Sequence, residues 1–154
     1  MRIVSFLSSI LLLGFASTVA VADDQQRLPP FTVEYYYKIK WGYYDEWLAL
    51  YKKNHWPVLL AEMKSGYIVD VQVHEPQNFG AESHRWDVRV TITFKNVLVP
   101  HGATDRAAQR QQLIERLHPD SEVYEREEQR RWQLVESFWD TELIDVATDQ
   151  WPEK

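Results

Sequence analysis

The chain has 154 residues, with 17 Lys plus Arg against 23 Asp plus Glu, a net charge of −6 and no cysteine. That balance disfavours nucleic acid, which asks for a basic face, and an anionic membrane surface for the same reason. Without cysteine there are neither disulfides nor thiolate metal sites, so the fold must rest on packing, to which seven Trp and eight Tyr can contribute.

Residues 1–22 read as an export signal. Arg2 supplies the positive start, Leu7 and residues 10–15 an apolar core, and Ala20-Val21-Ala22 before Asp23-Asp24 a small-residue cleavage site. Ser5, Ser8, Ser9, Ser17 and Thr18 interrupt the apolar run, so a spanning helix of about 20 apolar residues is the weaker reading. Cleavage after Ala22 removes one arginine and leaves a mature charge of 16 − 23 = −7. The expected location is the periplasm or the exterior, with no membrane insertion after cleavage. The remaining length, about 130 residues, suits one domain, here 31–148, between a flexible leader (23–30, ending in Pro29-Pro30) and a tail (149–154).

From residue 31 the pattern alternates. Phe31, Val33, Tyr35, Tyr37 and Ile39 fall on one side and Thr32, Glu34, Tyr36, Lys38 and Lys40 on the other, which predicts a half-buried strand. After Trp41-Gly42 the period lengthens. Tyr44, Trp47, Leu48, Tyr51, His55, Val58, Leu59 and Glu62 make one helical stripe. Pro57 lacks a backbone donor and crowds the carbonyl four residues back, so a kink is expected at 54–56, with Gly66 as the end cap.

Two further strands form a hairpin across the loop 75–83. Pairing Val69 with Val90, Val71 with Val88 and Val73 with Trp86 keeps the faces matched, and sets Asp70 opposite Arg89, Gln72 opposite Asp87 and His74 opposite Arg85. A helix follows from Thr104-Asp105 with Ala107, Ile114 and Leu117 inward, stopping at His118 before Pro119. A second, charged helix over 121–139 carries Glu-to-Arg pairs, with Tyr124, Trp132, Val135 and Trp139 as its buried stripe. Residues 141–146 are expected as the last short strand.

Strand, helix, strand, strand, helices, strand is the ferredoxin-like βαββαβ order of an α+β fold with an extra C-terminal helix. The helix pattern Trp47, Leu50-Tyr51, His55-Trp56-Pro57 resembles the aromatic, aromatic, H-x-P signature of EthD-like and NIPSNAP-like domains in the dimeric α/β-barrel superfamily. The strand, helix and hairpin context over 31–94 is similar too. The resemblance implies a homodimer whose subunits pack sheets, with a ligand cavity between sheet and helices in each. Members include cofactor-free monooxygenases, isomerases, decarboxylases, haem enzymes and proteins of unknown role, so fold alone does not settle function.

His55 is the candidate catalytic residue, since an imidazole on the inward stripe can act as acid or base near neutral pH; bonding a backbone carbonyl freed by Pro57 is the structural alternative. Tyr35, Tyr37, Trp47, Tyr51 and Trp86 are candidates for binding a flat, mostly apolar molecule, or are plain core. On the other sheet face, Asp70, His74, Asp87 and Arg89 are secondary candidates for acid-base work, or cross-strand pairs. The five histidines show no H-x-H or H-E-x-x-H spacing, so no metal is expected, and no cofactor. There is no G-x-S-x-G elbow and no glycine-rich phosphate loop. The leading expectation is an exported homodimer that binds a small hydrophobic or aromatic compound, with any chemistry cofactor-free, monooxygenase- or isomerase-like. The alternative is a non-catalytic envelope protein docking a protein partner through the charged helix.

Overall fold

Strand β1, Phe31–Ile39, forms where the alternation predicts it, and Val33, Tyr37 and Ile39 are buried while Glu34, Tyr36 and Lys38 face the other way. The computed structural model describes residues 28–78, 80–102 and 105–147; the expected signal, the leader up to residue 27 and the tail 149–154 lie outside the described residues. After β1 come helix α1 (Tyr44–Leu50), a π turn (Tyr51–His55), α2 (Trp56–Lys64), β2 (Ile68–His74), β3 (Val88–Phe94), α3 (Arg106–Leu117), α4 (Ser121–Gln133) and β4 (Val135–Leu143). The strands form one sheet in the order β2-β3-β1-β4, every neighbour antiparallel. With helices after β1 and β3, this is the ferredoxin-like arrangement, and the chain is an α+β protein.

The core lies between one sheet face and the helices: Trp47, Tyr51 and Leu59 pack against Val33, Tyr37, Ile39, Val88, Val90, Ile92 and Phe94. The expected kink is a full π turn, in which the Trp56 N–H reaches back five residues to the Tyr51 carbonyl. Pro57 then falls in the first turn of α2, where its missing donor costs nothing. Gly66, at φ +77°, ends the helix, its N–H donating to the Met63 carbonyl at 3.0 Å.

Four expectations need correction. The β2–β3 register is slipped by four residues: Val73 pairs with Val90, Val71 with Ile92, His74 with Arg89, Gln72 with Thr91 and Asp70 with Thr93. An even slip keeps every side chain on its face, so alternation could not detect it. A bulge between Ile68 and Asp70 buries Ile68 and leaves Val69 55% exposed. Second, α4 ends at Gln133, and 135–143 is strand where helix was expected as far as 139. The aromatic and β-branched side chains there suit a strand, and the free edge of β1 supplies the backbone partners. Third, Trp132 and Trp139 are 45% and 37% exposed, and Arg131 is the buried residue of α4. Finally, α3 is rotated from its apolar stripe. Leu113 is its buried residue, Ala107 and Leu117 face solvent, and Arg106 and Arg110 turn inward to Glu62. A fully buried carboxylate demands cations, and that demand outweighs two apolar side chains.

Strand β3 starts at Val88 because the residues before it are engaged elsewhere. Asp87 accepts from the Ile39 N–H (2.6 Å) and from Arg85 Nη1 on both oxygens (2.8 and 2.7 Å). Arg85 Nη2 donates to the Ile39 carbonyl and to Glu136, both at 3.1 Å, and the guanidinium lies 4.2 Å over the Trp41 ring. This network ties the 75–87 loop to β1 and β4. Removing one partner of a buried pair strands the other, at roughly 3–5 kcal/mol, so Asp87→Ala is expected to lose about that much in urea denaturation, whereas Glu82→Ala, at the exposed edge of the same network, should change little.

Candidate functional site

The π turn brings Tyr51 and His55 onto the inward side of the helix, over β1. Tyr51 stacks on Trp47 (centroids 5.1 Å) and meets the His55 ring at 5.0 Å, while Tyr37 meets Trp47 at 4.9 Å. Trp47, Tyr37 and Tyr51 are all buried. Trp47 is therefore core, with no free face to offer a ligand. Tyr35 is half-buried and stacks on Phe138 of β4 at 6.2 Å, and Phe138 meets Trp132 edge-on at 5.3 Å. Tyr35, Phe138 and Trp132 of α4 thus form an aromatic wall on the helix side of the sheet, with Phe138 39% and Trp132 45% exposed.

Around the rings lies a charged shell that the periodicity did not single out. Glu62 on α2 is fully buried and held by Arg106 (Nε 2.7 Å, Nη2 3.2 Å) and Arg110 (3.5 Å). Arg131 on α4 is 1% exposed and gives Nε and Nη2 to Glu128 at 2.9 and 2.6 Å. Its Nη1 is buried without a hydrogen-bond partner within bonding distance, while the guanidinium acts on both the Tyr37 and the Tyr51 hydroxyls, most closely on Tyr37. Burial pushes the Tyr37 hydroxyl up to about 12, partly offset by Arg131, and raises Tyr51 further. The signal for this shell was present in the sequence: Glu62 on an inward stripe requires a facing cation.

His55 is held neutral. Burial first, then Arg131, Arg110 and Arg106, push its imidazolium down to about 3, so at pH 7 it cannot serve as a general acid. Among the described residues its ring has no hydrogen-bond partner. The backbone-bonded histidine is instead His118, whose Nε2 donates to the Asn54 carbonyl at 3.1 Å while its ring stacks on Tyr124.

The remaining candidates are dispersed. Trp86 lies on the opposite sheet face, edge-on to Tyr36 at 5.9 Å and under the Arg89 guanidinium. Because β3 begins two residues after it, Trp86 never pairs with Val73 and lines no part of the inner surface. On that outer face Arg89 pairs with Glu34 at 3.4 Å and lies opposite His74, and Tyr36 stacks flat on Trp139 at 5.3 Å. Asp70, four residues along β2 from His74, accepts from Gln72 at 2.9 Å, and Asp87 is locked to Arg85. The four polar-face candidates thus form no joint acid-base cluster. Among the described residues no group of three or more His, Asp or Glu side chains could hold a metal ion, and no helix is long and apolar enough to cross a membrane. The surface grooves include one of about 490 Å³ lined by Leu48, Tyr51, Lys52, Trp56 and Val73, and one of about 190 Å³ between Trp41, Tyr44, Glu75, Arg85 and Asp87.

No protein-family model matches the sequence, and no curated protein matches it. Similar solved structures are dimeric ferredoxin-like proteins and a NIPSNAP family protein. One is a dimeric protein of unknown function from Bacteroides fragilis (10% identity, 74% of this chain and 94% of that one, TM-score 0.44). The NIPSNAP family protein is from Agrobacterium tumefaciens (18% identity, 77% and 88%, TM-score 0.47). The third is a dimeric ferredoxin-like protein from an uncultured marine organism (7% identity, 82% and 95%, TM-score 0.47). The ferredoxin-like assignment rests on this chain's own strand order and connections.

Two outcomes follow from the buried groups. The folded-state value of His55 lies below the unfolded value of about 6.5, so the unfolded chain takes up the proton first, and stability is lost as pH falls from there toward about 3. Denaturation midpoints across that window should fall faster for wild type than for His55→Gln, by at most about 1.4 kcal/mol per pH unit. The Tyr51 hydroxyl is buried without a hydrogen-bond partner, a condition costing about 1–3 kcal/mol, so Tyr51→Phe is expected to be at least as stable as wild type in urea.

Proposed function

We propose that this protein is exported, pairs as a homodimer and binds a small, flat, mostly apolar aromatic molecule between its sheet and helices. The observation that carries this reading is His55: a neutral histidine without a hydrogen-bond partner among the described residues, at the end of a π turn and with its ring against that of buried Tyr51. Rings supply the contact area and a few polar groups the orientation, the usual division of labour in a ligand site. π turns recur at functional positions because they break the regular backbone to present a side chain. Binding is better supported than catalysis, since an imidazole depressed this far is a weak base; any chemistry would be cofactor-free and centred on His55.

The outer sheet face supports the homodimer. Among the described residues it carries no helix and presents Trp86, Tyr36 and Trp139, and β4 leads into Ile144 and Val146, 86% and 68% exposed. A second copy over that face would cover this apolar surface. The partner-docking alternative is weakened by α4 itself, several of whose charges are engaged within the chain: Arg130 with Glu46 (2.7 and 3.0 Å), Glu127 with Lys53 (2.6 Å) and Arg131 inward.

Native mass spectrometry of the protein purified from the compartment to which it is exported tests all three parts. The expected species is a dimer of chains beginning at Asp23, carrying a small extra mass, and Trp139→Glu is expected to yield monomer. Chains retaining Met1 would remove the export claim, and a bare wild-type monomer would remove the dimer and its ligand.

A further inference from the structure

Three parts of the molecule invite a further assignment. The Trp41–Tyr44 groove is closed off by its own pairs, since Arg85 is fully engaged by Asp87, Glu82, Glu136 and the Ile39 carbonyl, and Tyr44 donates to Glu75. The apolar groove at the β2 edge presents no buried polar group to fix a ligand beyond the Tyr51 it shares with the helix–sheet space. Among the described residues, the junction of α4 with the π turn brings together a buried cation, an unpaired hydroxyl and a neutral imidazole.

We infer that the polar end of the ligand is a carboxylate, seated between Arg131 Nη1 and the Tyr51 hydroxyl with His55 beside it. The inference rests on the small-molecule reading above and adds the chemical class of the ligand. Arg131 and Tyr51 are 1% and 2% exposed, and the guanidinium carbon lies 5.8 Å from the centre of the Tyr51 ring. Glu128 occupies Nε and Nη2 of Arg131, which fixes the plane of the guanidinium and leaves Nη1 buried without a hydrogen-bond partner. A guanidinium edge and a hydroxyl donate well to an oxygen anion, and such charge-assisted bonds are roughly twice as strong as neutral ones. The charged groups acting on His55 are all arginines, Arg131, Arg110 and Arg106; against them stand Glu128, paired with Arg131, and Glu62, shared by Arg106 and Arg110, so three cations face two carboxylates and an incoming anion would balance the third. The carboxylates Asp140 and Glu142 on β4 act on Tyr35 and are exposed, whereas Arg131 is buried, so the acid near the aromatic wall faces solvent and the cation lies inside. An aromatic carboxylate would therefore enter charge first, its ring remaining against Tyr35 and Phe138.

Calorimetric titration of the mature protein at pH 7 with 1-naphthoate and with its neutral isostere 1-naphthamide tests the assignment. Naphthoate is expected to bind at least ten-fold more tightly, with that preference abolished in Arg131→Gln and reduced several-fold in Tyr51→Phe. Tyr51→Phe keeps the ring in its stack and removes only the hydroxyl, so it reads the site even where Arg131→Gln does not fold. Equal or tighter binding of naphthamide, or an undiminished preference in Tyr51→Phe, would overturn the carboxylate and leave the small-molecule reading standing. If neither probe binds, both fall together.

Discussion

The imide nitrogen of Pro57 has no hydrogen to give, and the helix crossing the sheet must accommodate it at the point where it is most closely packed. A regular α-helix through this point would set the proline ring against the Lys53 carbonyl. The chain instead widens into a π turn, with Trp56 reaching back to Tyr51, and resumes as α2 with Pro57 in its first turn. The inserted residue changes the phase of the helix. It turns Tyr51 and His55 toward β1 and drives Asn54 into the interior at 1% exposure, where Glu127 accepts from its side-chain amide and His118 donates to its carbonyl. That buried asparagine joins the end of α3 and the middle of α4 to the helix, alongside the Glu62 and Glu46 ion pairs, so the proline bears on the candidate site and on the placement of the second helical pair together.

Charge decides what apolar pattern leaves open. Glu62 is fully buried on the stripe that packs the sheet, and Arg106 and Arg110 rotate α3 to meet it, leaving Ala107 and Leu117 in solvent. Arg85 and Asp87 do the same for the loop, delaying β3 until Val88 and closing the strand ends around the Ile39 peptide. Buried ions of this kind add little net stability when paired and cost several kcal/mol when unpaired. Their effect is to forbid alternative packings.

The two sheet faces divide the chemistry. The helix side holds neutral His55, its arginines and the aromatic wall. The outer side holds an ordinary cross-strand mixture, Glu34 with Arg89 and Tyr36 with Trp139, which suits a covered face better than a reactive one. Trp86 shows how local the division is, since a strand beginning two residues after it is enough to place it on the outer face with Tyr36.

Elements whose identity depends on near neighbours were legible in the amino-acid order. The alternation of 31–39, the stripe from Tyr44 to Glu62, the break before Pro57 and the ferredoxin-like succession all follow from period, proline and glycine, which act within a few residues. His55 and Tyr51 were visible on the inward stripe for the same reason. The β2–β3 register was not, because a slip of four preserves the alternation and only the bulge at Ile68 and the Arg85–Asp87 closure distinguish the two pairings. The conversion of 135–139 from helix to strand required the free edge of β1, and the facing of α3 required Glu62 across the core. The anion-binding character of the inner shell likewise depends on Arg131, a residue from α4 that meets Tyr51 only in three dimensions. Charges and strand edges act between residues far apart in the chain, so tertiary structure alone decided which of them meet.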